Sequence, residues 1–191
     1  MLPPADLVVV DGEGNHISGR HTVEPTAFFI HGRIHRANPR AQCVLHTHMP
    51  YATALTIIEN GELAWASQNA LRFHGRVAYD RAYNGLALDE AEGDHIAAQV
   101  RDADVLFLAN HGVIVCGPSV AYAFDDLYYL ERACMLQMLA HGSGRPLKIV
   151  PGEIAAGTRA QMDAERQQSD LHLAALKRIL DREQPGWRGK K

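Results

Sequence analysis

This chain is poor in the features that would mark it for a membrane, for nucleic acid or for a disulfide framework. It has three cysteines, Cys43, Cys116 and Cys134. The number is odd and no C-x-x-C pair exists. Each sits in an apolar stretch, so reduced, buried thiols are expected rather than cross-links or a thiolate site. No apolar run approaches the roughly 20 residues needed to span a bilayer. The opening Met-Leu-Pro-Pro-Ala-Asp lacks the charged and apolar regions of a signal peptide, so cytoplasm is the expected location. There is no excess of positive charge: the net charge is −3, which offers no field for a polyanion. The one basic cluster, Arg188 to Lys191, reads as a solvated terminus. No G-x-S-x-G elbow, no glycine-rich phosphate loop, no internal repeat and no linker is present.

What remains is an ordinary globular composition, 47% hydrophobic and 21% charged over 191 residues, enough for one domain spanning 1–191 with a sizeable core. The unusual count is eleven histidines. They form no terminal tag, so their placement decides what they do.

Leu7 to Val10 is a short β-branched run that stops at Asp11-Gly12-Glu13-Gly14, a strand and a tight turn. His16 to Pro25 is polar and irregular. Thr26 to Ala37 places Ala27, Ile30, Ile34 and Ala37 at amphipathic-helix spacing, and Asn38-Pro39 ends it. Cys43 to His48 reads as a buried strand. A helix follows from Pro50 to Asn60-Gly61. Arg76 to Tyr79 is a further strand, and Asp89 to Arg101 is a helix with acidic residues in its first turn. Val105 to Ala109 and Val113 to Cys116 are strands joined through Asn110-His111-Gly112. Pro118 to His141 is the longest helix, and Ile154 to Glu183 is either two helices or one bent one. Helices and short strands alternate, the pattern of an α/β fold with helices flanking one sheet.

Two of the eleven histidines share one strand. Side chains alternate along a strand, so His46 and His48 of His46-Thr47-His48 project from the same face. That pair could chelate one ion or be two satisfied core histidines. His111 closes a strand and is followed by Gly112, which removes side-chain bulk beside it; alone it reads as a strand-ending turn. Three neutral nitrogen ligands together suit zinc first, and also cobalt, manganese or iron, with coordination positions left open to substrate. Such an ion acts as a Lewis acid toward a carbonyl or carboxylate oxygen. Asp125-Asp126 lies in a helix with an apolar neighbouring face and is expected to be solvated. Tyr128 and Tyr129 are expected to pack.

Pro39-x6-His46-x-His48, Asn110-His111-Gly112-x4-Gly117 and Leu130-Glu131-Arg132-Ala133 together resemble the class II aldolase/adducin family. The likeness runs from about Asp6 to Gly144, and Leu171 to Trp187 is similar to the C-terminal helix of adducin-type members. The resemblance implies a three-layer α/β/α sandwich with a central mixed or antiparallel sheet, usually a homotetramer acting on a small molecule. It makes His46, His48 and His111 the metal ligands. Its sugar-phosphate aldolases carry an acid/base glutamate four residues before a helix histidine. His31 matches that histidine, but the gap-free position before it is Ala27, so Glu24 takes the catalytic role only if the intervening loop differs. His31 itself is either a catalytic or a packing histidine, and Glu24 either catalytic or a solvated loop residue. The family's N-terminal helical segment and its Gly-Asn-Ile-Ser-type phosphate stretch have no counterpart here. Either the natural start lies upstream of Met1, or the substrate carries no phosphate. The resemblance implies aldol cleavage of a hydroxy-carbonyl compound through an enediolate held on the metal. Its alternatives are metal-dependent decarboxylation of a hydroxylated aromatic acid, and a non-catalytic module like adducin, which lacks the metal histidines.

Overall fold

The computed structural model describes residues 6–188. The expectations for Met1 to Ala5 and for the basic tail past Arg188 lie outside the described residues. A hairpin comes first, β1 (Val9–Val10) with antiparallel β2 (His16–Ser18). The second strand falls in the segment expected to be irregular. All three of its residues are exposed, so burial leaves no alternating pattern to read.

The central sheet has four strands in the order β3 (Cys43–Thr47), β6 (Gly112–Gly117), β5 (Val105–Leu108), β4 (Val77–Asp80). β6 is antiparallel to both its neighbours, while β4 and β5 run parallel. The sheet is therefore mixed. Every residue of β5 and β6 is buried, as expected of central strands covered on both faces.

Alternation sorts the side chains into two cores. Val44, Leu106, Leu108, Ile114 and Cys116 face α1 (Pro25–Ala37) and α4 (Glu90–Val100), packing on Ile30, Ile34, Ile96 and Val100. Val105, Phe107, Val113 and Val115 face α2 (Pro50–Thr56), α3 (Gln68–Leu71) and α5 (Val120–His141), packing on Leu55, Ala70, Leu130 and Cys134. Helices thus cover both faces, and the expected three-layer α/β/α sandwich is present. The three cysteines are free and buried. Among the described residues no helix is long and apolar enough to cross a membrane.

Two local expectations are corrected, and one left open between two alternatives is resolved. α2 ends at Thr56 instead of continuing to Asn60-Gly61. Gly61 is there for close approach, since a Cβ on it would lie 2.2 Å from the Leu55 carbonyl oxygen. The four-residue α3, capped by Ser67, was not foreseen because one turn is too short to show a period. The C-terminal stretch is two helices, α6 (Gly152–Ala164) and α7 (Gln168–Glu183).

The largest correction concerns Asp125 and Asp126, which are 3% and 0% exposed. Asp126 accepts from Arg76 at 2.8 Å and from both terminal nitrogens of Arg166 at 2.7 and 2.9 Å. Asp125 takes Arg72, Ser169 Oγ at 2.9 Å and His172 Nδ1 at 2.7 Å. Partners from four other segments neutralise the pair, which makes its burial tolerable. This network also docks the C-terminal helices, whose own buried residues are Ala155 and Ser169.

Candidate metal centre

β3 is an edge strand, and its last residues carry the histidines out of the sheet at the open end. His46 lies opposite Ile114 and on the side of the sheet covered by α1. The next strand pair turns at Asn110-His111, where Asn110 adopts φ 56°, a left-handed conformation that asparagine tolerates. Because β6 pairs with both β5 and β3, this turn delivers His111 beside the end of β3. Gly112 is required at the junction. A Cβ there would meet the Thr47 carbonyl oxygen at 2.5 Å and His48 Cδ2 at 2.7 Å.

The three imidazoles converge, with ring centroids 5.0, 4.8 and 4.8 Å apart. One nitrogen from each lies within 4.8 Å of the others. His46 Nδ1 is 3.1 Å from the Val113 carbonyl oxygen. A carbonyl only accepts, so Nδ1 carries the proton and Nε2 presents its lone pair. His46 Nε2 and His48 Nε2 are 3.3 Å apart. In a tetrahedral site with metal–nitrogen bonds of 2.0–2.1 Å, two ligand nitrogens are separated by roughly 3.3 Å, so the pair is already spaced as one edge of such a site. The donor set fits a divalent ion with open positions.

Burial favours the neutral form of His46 and His111. Burial lowers the His46 pKa to about 4, with the neighbouring His111, His48 and His31 adding to the effect. His111 is lowered by burial and by His48. Neutral imidazoles at neutral pH are ligands rather than cations.

The other two expected site residues are placed differently. His31 is on α1, half-buried, with its pKa lowered by burial and then by His35, and its charge is felt at His46. It therefore stands on the same side of the sheet as the cluster. Glu24 is exposed and caps α1, accepting from Ala27 N at 2.9 Å and from the Thr26 hydroxyl, bonds that lower its pKa. It is not among the converging groups.

Tyr83 escaped the sequence reading. The residue is 54% exposed, and its ring lies 6.4 Å, centroid to centroid, from that of His111. The loop that carries it is anchored where Asp80 accepts from Ala82 N at 3.1 Å and from His95 Nε2 at 2.9 Å. A loop aromatic has no periodic signal, and this contact depends on β4 and the β5–β6 turn meeting in space. A cavity of about 480 Å³ lined by Arg72, Asp125, Tyr129, Gln161 and His172 lies elsewhere, and none of the three histidines borders it.

The chain is similar to known proteins over most of its length. The family described as Class II Aldolase and Adducin N-terminal domain matches residues 1–138. The decarboxylase NovR of Streptomyces niveus is 34% identical over 94% of this chain and 68% of its own length. An aldolase II superfamily protein from Pseudomonas syringae superposes with a TM-score of 0.89 at 34% identity, covering 98% of this chain and 76% of that one. An L-fuculose 1-phosphate aldolase from Glaciozyma antarctica PI12 superposes with a TM-score of 0.82 at 25% identity, covering 98% and 73%.

Proposed function

The chain belongs to the class II aldolase and adducin family, and from that premise we propose that it is a divalent-metal-dependent carbon–carbon lyase acting on a small hydroxy-carbonyl compound. The observation that carries the reading is the convergence of His46, His48 and His111 with nitrogens within 4.8 Å of one another. These three residues would hold the ion, zinc first and manganese, cobalt or iron as alternatives. Bound there, the ion supplies Lewis acidity toward a substrate oxygen that gains negative charge as the carbon–carbon bond breaks.

The protein's own groups divide the remaining work. The Val113 carbonyl fixes the His46 tautomer, which keeps one ring nitrogen directed at the cluster. His31, held neutral by burial, is available to take a proton on the α1 side. Tyr83 offers a phenol beside His111 and a ring against which a substrate can lie. Aldol cleavage also needs a base for the hydroxyl proton, the role assigned to Glu24. Three imidazoles argue against a purely structural module.

A second reading, decarboxylation of a hydroxylated aromatic acid, is favoured by one observation: the Glu24 carboxylate is already occupied at the head of α1. Loss of carbon dioxide from a carboxylate needs no base to remove a hydroxyl proton, and Ala27 supplies none. The NovR relative bears the name of a decarboxylase.

Assembly belongs to the same proposal. Val120, Leu136 and Leu139 of α5 are 60%, 43% and 61% exposed, apolar cover that supports a homo-oligomer, proposed as a tetramer in the cytoplasm.

The test is metal analysis followed by a product screen. We expect about one divalent ion per chain in the purified protein, because three imidazoles with open positions fit one ion. His48→Ala should lose most of it while keeping its circular dichroism spectrum. The reloaded wild type is then offered hydroxy-carbonyl compounds and hydroxylated aromatic acids, with aldehyde and carbon dioxide measured separately. Equal metal content in wild type and His48→Ala would overturn the assignment.

A further inference from the structure

α2 begins two residues after His48, and it lacks a cap of its own. Met49 precedes the helix without a side-chain hydrogen bond, and Pro50 at the first position has no N–H. Thr53 N already bonds the Met49 carbonyl at 2.8 Å. Two donors of the first turn therefore need a partner from elsewhere, Tyr51 N and Ala52 N. Glu131 of α5 takes both. Its Oε1 accepts from Tyr51 N at 3.0 Å and its Oε2 from Ala52 N at 2.9 Å. A carboxylate from a distant helix thus serves as the N-terminal cap, where negative charge also suits the helix dipole.

The metal histidines differ in how they are held. His46 is fixed through its own ring by the Val113 carbonyl. His48 is the exposed member of the three, and the one polar contact described for its ring is His46 Nε2. Its ring position is therefore inherited from the backbone. On the side before His48 that backbone is fixed by the ladder, where Thr47 pairs with Val113. On the side after it, the fixed point is the head of α2.

We propose that Glu131 is a positioning residue for the metal centre, holding the head of α2 so that the chain leaving β3 presents His48 to His46 and His111. The inference rests on the metal reading of the three histidines. It gives a role to the Leu130-Glu131-Arg132-Ala133 segment, which carries no histidine of its own. Leu130, Ala133 and Cys134 pack into the core and seat the helix, while Glu131 faces α2.

The experiment is Co²⁺ titration of the metal-stripped protein, read by the visible ligand-field spectrum, in wild type, Glu131→Gln and Gln137→Ala. Glutamine keeps the size but has one accepting oxygen, so one first-turn donor loses its partner. Co²⁺ affinity should fall by about 10- to 100-fold, the usual consequence of removing a group that orients a ligand, and the spectrum should change in shape or intensity. Gln137 is the control for general weakening of α5. It sits on the same helix and bonds Ala64 N and the Glu62 carbonyl, each at 2.8 Å, on a segment that carries none of the three histidines and does not include the head of α2. Gln137→Ala should lower the melting temperature while leaving Co²⁺ affinity and spectrum as in wild type. Should Glu131→Gln fail to fold, Glu131→Asp, which keeps the charge but withdraws it by one methylene, is expected to show the same loss. Wild-type affinity and spectrum in the folded Glu131 variant would overturn the proposal and leave the metal reading intact. An equal affinity loss in Gln137→Ala would do the same, since any weakening of α5 would then suffice. A wild-type chain that takes up no Co²⁺ overturns both.

Discussion

Gly112→Ala is the smallest change that tests the geometry on which the centre depends. The added methyl would stand 2.5 Å from the Thr47 carbonyl oxygen, 3.3 Å from the Thr47 carbonyl carbon and 2.7 Å from His48 Cδ2. Ordinary contact requires those atoms to retreat by on the order of 1 Å. The carbonyl belongs to the β3–β6 ladder, so it moves only with the strand; the imidazole is the softer neighbour. Overpacking of this kind costs about 1–3 kcal/mol. For a chain of this size each kcal/mol lowers Tm by roughly 2–4 °C, a shift that scanning calorimetry on the metal-free protein resolves. Because ligand positions tolerate only about 0.2 Å, the displaced ring should also weaken Co²⁺ binding, with about ten-fold for each 1.4 kcal/mol of strain expressed there. Gly157→Ala, in α6 with nothing within 4 Å of the added carbon, is the matched control. It should stabilise slightly, by up to about 1 kcal/mol, as alanine does in a helix interior. A Gly112→Ala protein with wild-type Tm and wild-type Co²⁺ affinity would refute the close approach of these two strands.

Two further outcomes are expected. Glu24→Gln keeps the size of the side chain but removes the ionisable carboxylate; if aldol cleavage depends on it, turnover falls by on the order of 100-fold or more with metal content nearly unchanged, whereas wild-type turnover promotes decarboxylation to the first reading. Asp126→Asn leaves Arg76 and Arg166 facing an amide NH₂ in the interior and should cost about 3–5 kcal/mol, seen as a lower urea midpoint at an unchanged slope; a loss below about 1 kcal/mol would mean the network is not holding the C-terminal helices.

The parts of the centre that were legible in the sequence are those carried by one local pattern. Alternation along Cys43 to His48 puts two histidines on one face, and a histidine followed by glycine at a strand end marks a turn with room beside it. That residues 46 and 111 meet was legible only through the family resemblance, because strand order is a property of the whole sheet. The charged pair in α5 was misread for the same reason. From its own helix, Asp125-Asp126 next to apolar residues resembles a solvated edge, while Arg72, Arg76 and Arg166 come from segments with no sequence proximity to it. Polar β2 and four-residue α3 were missed because neither is long enough, or buried in the right rhythm, to show a period. Glu131 belongs to the Leu130-Glu131-Arg132-Ala133 motif, but its role depends on α2 having no cap of its own.

The ionic knot around Asp126 also bears on how much of the chain makes one self-sufficient unit. The family match ends at residue 138, before α6 and α7 begin. Inside that span the knot holds Asp104, Asp125 and Asp126 against Arg72 and Arg76, three anions facing two cations. The third cation, Arg166, arrives from the turn between the C-terminal helices. A fragment cut at the boundary of the family match would contain all three candidate metal histidines and every described strand, yet leave this ionic knot one cation short. The last two helices supply a counter-ion to the domain, and its electroneutral boundary lies beyond Arg166 instead of at the end of the family match.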